Sequence, residues 1–261
     1  MASGNPSVDY ERFFVPAIGA PLAIDLIRRA ALRPGERVLD VACGTGIVAR
    51  LALKELSANG TVVGLDINPD MLAVASTASP PGSSIDWHEA SAEAMPLANA
   101  SFDAVLCQMG LQFMPDKHAA LREIRRVMVP GGRLILNMPG PTPRLFAIMA
   151  EGLTRHLGGE TGGFVHQVFS LHDTAEIENL ISEAGFHDVS VQSDTRSLRL
   201  PAPEEFLWQY IYSTPLAGAM AQVDDDHRGS LERDIISKWQ AFVKDHALIL
   251  HVRMVVATAW K

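Results

Sequence analysis

The sequence predicts an α/β domain built on a mainly parallel, doubly wound sheet with helices on both faces. Three observations carry that expectation. Short β-branched and aliphatic runs alternate with helical patterns across residues 30–140. The first of these runs ends in a glycine turn that opens a helix, which is the start of a βαβ unit. Pro-Gly steps punctuate the helix ends, and right-handed crossovers then fix the hand of the layout.

Residues 18–31 place Ile18, Leu22, Ala23, Leu26, Ile27 and Ala30 on one helical face, and Pro34-Gly35 stops that helix. Arg37 to Val41 is the first strand, followed by Gly44 and Gly46 and a helix over Ile47 to Leu56. Thr61 to Asp66 is the second strand, and Asn68-Pro69-Asp70 opens the next helix. A third strand is expected at Ile85 to Glu89 and a fourth at Phe102 to Cys107. Asp116 caps a helix bearing Leu121, Ile124 and Met128, which Pro130-Gly131-Gly132 terminates before a fifth strand, Arg133 to Met138. Beyond Pro139, Pro141 and Pro143, residues 144–157 read as a helix, and Gly158-Gly159 with Gly162-Gly163 as a flexible joint. Thr174 to Ala184 is helical, and a strand runs from His187 to Ser193 and on towards Leu200. Residues 201–245 carry two helical patterns, with Asp224-Asp225-Asp226 expected as a solvated turn between them. Leu248 to Trp260 is the closing strand, and no internal repeat is visible.

Composition narrows the partners. Of 261 residues 48% are hydrophobic, enough for a sizeable core, and the formal charge is −8. That balance argues against a nucleic-acid partner, and Arg122, Arg125 and Arg126 are expected to form the solvated face of one helix. No stretch is long and apolar enough for a membrane span, and the N-terminal residues lack a secretory pattern. Cys43 and Cys107 fit a reduced, cytoplasmic protein, and no His or Cys spacing suggests a metal.

The chemistry lies in VLDVACGTG at residues 38–46, followed by Asp66 at the end of the next strand. Glycines there let a ligand approach the backbone, and the helix N-terminus offers unpaired N–H groups. An acidic residue on the neighbouring strand can accept both hydroxyls of a ribose, so the pattern describes an adenosine-binding crevice. Gly44, Gly46 and Ala49, with Asp66 following, also satisfy the dinucleotide pattern of a nicotinamide enzyme. Asp40 separates the two readings. Its carboxylate would repel a pyrophosphate and attract the ammonium and sulfonium of S-adenosylmethionine.

The segments DVACGTG, GLDINPDML at 64–72, AEAMPL at 92–97, SFDAVL at 101–106 and RVMVPGGRL at 126–134 resemble class I S-adenosylmethionine-dependent methyltransferases. The subgroup they resemble is that of the ubiquinone/menaquinone-biosynthesis methyltransferases. The resemblance covers residues 30–140, the expected cofactor-binding core of a single domain spanning 1–261. It implies a Rossmann-like sheet of about seven strands whose last strand, Leu248 to Trp260, is antiparallel and inserted between the fifth and sixth. It also implies that Asp40, Ala42, Gly44 and Gly46 line the methionine moiety and the glycine turn. Asp66 would hold the ribose, and Ile67 would pack on the adenine. Ala92 would offer its N–H to the ring with Ser91 beside the exocyclic amine, and Gln108 would stand near the sulfonium. Ala42 replaces a usual glycine, which a backbone with φ < 0 would tolerate, and Ser91 replaces a common Asp.

These readings converge on methyl transfer from S-adenosylmethionine to an oxygen or carbon of a small, largely apolar metabolite. The alternatives are an NAD-dependent oxidoreductase and a non-catalytic S-adenosylmethionine-binding protein. Tyr10, His166, His172, Tyr210, Tyr212 and Gln112 are weighed as catalytic groups, and none is nominated as a base. Residues 201–245, with the segment Tyr10 to Phe14, are expected to form a helical cap over the crevice. A homodimer contact is the competing role for that insertion.

Overall fold

In the helical start of the chain, the Asn5 side chain accepts the N–H groups of Ser7 and Val8 and caps α1 (Pro6–Asp9). A π-helical stretch, Tyr10–Gly19, contains Pro16, which has no N–H for a regular rung, and α2 (Ala20–Ala30) continues from it. These elements belong to a computed structural model that describes residues 3–56 and 59–261. The first two residues of the segment read for a leader lie outside the described residues.

The alternation read from the sequence follows as β1 (Arg37–Val41), α3 (Ile47–Leu56), β2 (Thr61–Asp66), α4 (Pro69–Ala78), β3 (Ile85–Glu89), β4 (Phe102–Gln108), α5 (Lys117–Val127) and β5 (Met128–Pro139). Asn68 caps α4 and Asp116 caps α5 through their side-chain oxygens. Next come α6 (Arg144–Leu157), α7 (Gly159–Val168), α8 (Thr174–Glu183) and β6 (His187–Leu200). The chain ends with α9 (Pro203–Tyr212), α10 (Leu216–Met220), α11 (Asp225–Trp239), β7 (Val243–Lys244) and β8 (Ala247–Trp260).

The sheet order is β3-β2-β1-β4-β5-β8-β6, with the two-residue β7 paired to β8. The first five strands are parallel, in registers that set Asp40 opposite Gly64 and Gln108 opposite Asn137. The last strand runs against β5, because Gly131 donates to the Lys261 carbonyl whereas Gly140 donates to that of Arg253. Seven strands therefore form the path, and the closing strand is antiparallel and lies between the fifth and sixth as expected.

The chain divides into two compact units. One comprises Leu22–Met138, Leu171–Asp194 and Met254–Lys261. Its core lies on both faces of the sheet. Leu39, Val105 and Leu134 meet Leu121 and Ile124 of α5 on one face, while Val38, Leu106 and Ile135 meet Leu26 of α2 and Ala52 of α3 on the other. Strands covered on both faces explain why β1 buries every residue but its first.

The other unit comprises Met1–Pro21, Pro139–Ser170 and Thr195–Arg253. Phe146 is its hub, with ring centroids 5.2 Å from Phe169, 6.2 Å from Phe206 and 5.1 Å from Tyr210. Buried Trp239 satisfies its Nε1–H on the Leu145 carbonyl at 2.9 Å.

Local expectations fail in four places. Of the glycines at 158–163 only Gly158, at φ +97°, joins α6 to α7; Gly159, Gly162 and Gly163 lie within α7, and Gly162 serves close packing. A Cβ there would come within 2.8 Å of the Ala150 carbonyl of α6. Asp224-Asp225-Asp226 is not a solvated turn. Asp224 accepts the His227 N–H as the cap of α11, and the two that follow occupy its first turn, where the helix dipole favours them. The Pro130-Gly131-Gly132 step lies inside β5, since α5 has already ended at Val127. Arg126 is not part of a solvated face. It grips Glu123 and the carbonyls of Met95 and Leu97, and Arg125 donates to the Gly185 carbonyl.

Candidate cofactor site

The strand order reverses between β1 and β4, and ligands of such sheets bind beyond the carboxyl ends of the strands at that point. Asp40, Asp66 and Gln108 lie at or near the ends of β1, β2 and β4.

Asp40 is 1% exposed. Its Oδ2 accepts the Ala49 N–H of α3 at 3.0 Å, while its buried Oδ1 has no hydrogen-bond partner. Burial pushes its pKa up to about 8, against the Ala49 amide and Arg50 and with a smaller push from Asp66. An orphaned carboxyl oxygen in a dry site is costly until a donor or cation reaches it.

Asp66 bridges two loops. Its Oδ2 accepts the Gly44 N–H at 2.8 Å and its Oδ1 the Asn68 N–H at 2.9 Å. Burial raises its pKa, opposed by those amides and by that of Ile67. The next side chain, Ile67, is an isolated apolar surface, 71% exposed. Ala90 donates to the Asp66 carbonyl at 3.0 Å, which draws Ser91 and Ala92 beside Asp66, and the Ser91 hydroxyl accepts the Glu93 N–H at 3.2 Å.

Ala42 corrects the expectation made for it. Its φ is +55°, in the left-handed region, not negative. Space for the methyl comes from Gly110, where an added Cβ would stand 2.6 Å from the Ala42 Cβ. Gly44 and Gly46 also have positive φ, +54° and +83°. Gly46 serves an approach that the sequence reading missed: a Cβ on it would meet the Trp87 ring at 2.4 Å, and one on Gly64 would meet it at 2.2 Å. The glycine inside the aliphatic run of β2 was the available signal for that ring.

Gln108 accepts a hydrogen bond from the Asn137 side chain at 3.3 Å, and Asn137 is buried with its own Oδ1 unpartnered. Thr45, in the glycine turn, likewise buries an unpartnered hydroxyl. Neither Thr45 nor Asn137 carried a recognisable signal in the sequence. The chain turns sharply after β4, with Met109 at φ +50° and its N–H on the Asn137 carbonyl. All nine residues assigned to cofactor binding thus lie in one unit, and the hydrogen bonds and strand pairing join them around the ends of β1, β2 and β4.

Each of the other candidates has its own surroundings. Tyr210 is 4% exposed against Phe146 and Phe206, and His166 lies exposed on α7. Gln112 is buried in a 3₁₀ turn, Leu111–Phe113. Burial raises both thiols, that of Cys107 to about 12, so neither is a nucleophile at neutral pH. Among the described residues no cluster could hold a metal ion.

The donor set fits S-adenosylmethionine. Asp40 offers an unpaired oxygen to a cation, Asp66 has lone pairs for a vicinal diol, and exposed Ile67 offers an apolar face to a flat ring. A pyrophosphate would set two anions against Asp40.

A family profile described as a methyltransferase domain matches residues 39–136. A demethylmenaquinone methyltransferase of Thermus thermophilus is 40% identical over 152 residues, 58% of this chain and 67% of that protein. An uncharacterised protein of Mycobacterium tuberculosis is 39% identical over 116 residues, 44% of this chain and 41% of its own length, so the chain spans under half of that relative. The phosphoethanolamine N-methyltransferase 2 of Haemonchus contortus, solved with phosphomonomethylethanolamine and S-adenosylhomocysteine, shares the fold at a TM-score of 0.64. It is 21% identical, with 99% of this chain and 57% of that one covered. With the strand order, the glycine turn and the paired Asp40 and Asp66 in place, the chain belongs to the class I S-adenosylmethionine-dependent methyltransferases, whose cofactor is S-adenosylmethionine.

Proposed function

We propose that the protein moves the methyl group of S-adenosylmethionine to an oxygen or carbon atom of a small, largely apolar metabolite. The observation that carries the cofactor half is buried Asp40 with one oxygen unpartnered beside the glycine turn. The apolar acceptor is supported by the Thermus relative, which is named for a quinone-type substrate. The cofactor supplies an electrophilic methyl on a sulfonium. This chain's contribution would be to orient it and exclude water: Asp40 would receive the cation, Asp66 the ribose, and Ile67 and Ala92 the adenine, with Gln108 near the sulfonium and the acceptor. Positioning alone can supply about 7–11 kcal/mol towards an in-line displacement, so no protein base is required for an acidic acceptor. A reduced, cytoplasmic setting belongs to this reading and is supported by two buried free thiols.

Acceptor choice is assigned to the helical insertion of residues 201–245 together with Tyr10 to Phe14. Support comes from their shared packing: Tyr10 stacks on Phe14 at 4.6 Å, and Phe14 stands 6.3 Å from Tyr210.

Calorimetry tests the cofactor. S-adenosylmethionine is expected to bind, NADH is not, and Asp66→Ala should weaken binding roughly 10–150-fold by removing charge-assisted hydrogen bonds worth ~1.5–3 kcal/mol. Tight NADH binding without S-adenosylmethionine binding would make the protein an oxidoreductase. Transfer of labelled methyl from the cofactor into a size-fractionated cell extract tests the acceptor, and label confined to macromolecules refutes the small-molecule reading. Cofactor binding with no label transfer at all would leave a non-catalytic binding protein.

A further inference from the structure

Helix α5 carries a basic group that the cofactor site does not use. Arg122, Arg125 and Arg126, with Lys261, Asn99 and Ala184, line a concavity of about 460 Å³. It lies where β5 begins and β8 ends, the end of the sheet opposite the cofactor residues: the Lys261 amide donates to the Gly132 carbonyl at 3.0 Å. No acidic side chain lines it, although the whole chain carries a formal charge of −8.

Arg125 and Lys261 are held in place without an acidic side chain beside them, Arg122 is exposed, and Arg126 is paired with Glu123. Lys261 Nζ donates to the carbonyls of Met128 at 2.7 Å and Arg126 at 3.3 Å, which fix it without neutralising it. Arg125 donates its Nε to the Gly185 carbonyl at 2.9 Å, which fixes the guanidinium and leaves its terminal nitrogens for another acceptor. Glu123 is engaged by Arg126, and Glu183 stands by His118. Among the described residues no carboxylate lies within ion-pairing distance of Arg122, Arg125 or Lys261. Lys261 also has a pKa below the usual lysine range, first from burial and then from the charges of Arg125 and Arg126. Like charges gathered into one hollow repel until an anion joins them, and planar guanidinium forks match phosphate oxygens in pairs.

We propose that this hollow is a binding site for a phosphate group, with Arg122 and Arg125 as its forks and Lys261 as its fixed point charge. The proposal is independent of methyl transfer and goes beyond it. Two sources share the chemistry, a small phosphorylated molecule and an anionic lipid headgroup.

The test uses the full chain. Calorimetry with inorganic pyrophosphate reads the first source, and co-sedimentation with phosphatidylglycerol against phosphatidylcholine vesicles reads the second. Binding of either phosphate probe is expected, weakening as salt is raised. Arg122→Glu should lower that affinity at least about tenfold, the loss of one charge-assisted contact with added repulsion. Arg122 is exposed and forms no ion pair, so this variant should fold, and unchanged S-adenosylmethionine affinity would confirm it. Arg125→Lys is the second variant; it keeps the charge but loses the fork, and a reduced affinity is expected. Pyrophosphate binding alone would indicate a small ligand, and selective sedimentation alone a lipid headgroup. Binding of neither probe, or binding that both variants leave unchanged, would overturn the site.

Discussion

At the scale of single residues, Asp40 sets stability against its proposed part in cofactor binding. In the unfolded chain its carboxyl ionises near 3.8, whereas burial holds the folded value at about 8. Between those values the folded state keeps a proton that the unfolded state has lost. The contribution of Asp40 to stability is therefore whole below pH 4, falls as pH rises towards about 8, and is level above it. A thermal-melting series on the ligand-free protein should show that decline, and S-adenosylmethionine should offset it by supplying a cation to the ionised form. Asp40→Asn keeps the bond to Ala49 and removes the charge. It should flatten the pH dependence and raise the melting temperature at pH 8, yet weaken S-adenosylmethionine roughly 10–150-fold in calorimetry. A variant that lost both stability and binding would place Asp40 in the scaffold only. Ala42 and Gly110 are coupled in a different way, through space. Gly110→Ala should cost about 1–3 kcal/mol by overpacking against the Ala42 methyl, and the same change in an Ala42→Gly background should cost less. Urea unfolding of the four proteins measures that coupling.

At the scale of elements, helices α6 and α7 depend on one missing side chain. A Cβ at Gly162 would meet the Ala150 carbonyl at 2.8 Å and press on the Thr154 hydroxyl, so Gly162→Ala should destabilise by about 1–3 kcal/mol. Gly163, inside α7 with open space around its Cβ position, should accept alanine with a gain of about 0.5–1 kcal/mol. The contrast shows what the sequence could and could not reveal. Four glycines in six residues look like a joint because glycine is a poor helix former, and only tertiary contact shows that one of them permits two helices to touch. The same limit applies to Asp224-Asp225-Asp226, where a cap and a solvated turn share one composition. Strands β1, β2 and β4 were legible because burial on both faces demands unbroken apolar runs. The placement of Asp40, Gly44, Gly46 and Asp66 around the ends of β1 and β2 was legible because the glycine turn and the acidic residue after it keep a fixed spacing along the chain. Thr45, Trp87 and Asn137 were not: the Trp87 ring meets Gly46 and Gly64, and Asn137 meets Gln108, only once the chain is folded, and the buried Thr45 hydroxyl has no partner to betray it.

At the scale of the whole molecule the chain has two cores, and the proposed division of work between them can be tested. The nine residues proposed to hold the cofactor all belong to the unit built from Leu22–Met138, Leu171–Asp194 and Met254–Lys261. The aromatic cluster around Phe146 belongs entirely to the other. Replacing residues 201–245 by a short turn would remove Phe206, Tyr210 and Trp239 together and leave Phe146 only Phe169 among its ring neighbours, so a single truncation is the cleaner probe. Phe206 is 3% exposed and touches Phe146, Tyr210 and Trp239 with ring centroids 5.8–6.2 Å apart. Phe206→Ala should therefore destabilise its own core by about 3–5 kcal/mol through lost contact and residual cavity. Hydrogen exchange should locate the loss in α6, α9 and α11 while β1, β2 and β4 stay protected, since local opening follows local packing. If the insertion governs the acceptor and the sheet unit the cofactor, methyl transfer to the acceptor should fall, whereas S-adenosylmethionine affinity should hold within about twofold, a free-energy change below about 0.5 kcal/mol. Parallel loss of affinity and transfer would show that the aromatic cluster supports the cofactor site as well, and full retention of both would free the insertion of any part in the reaction.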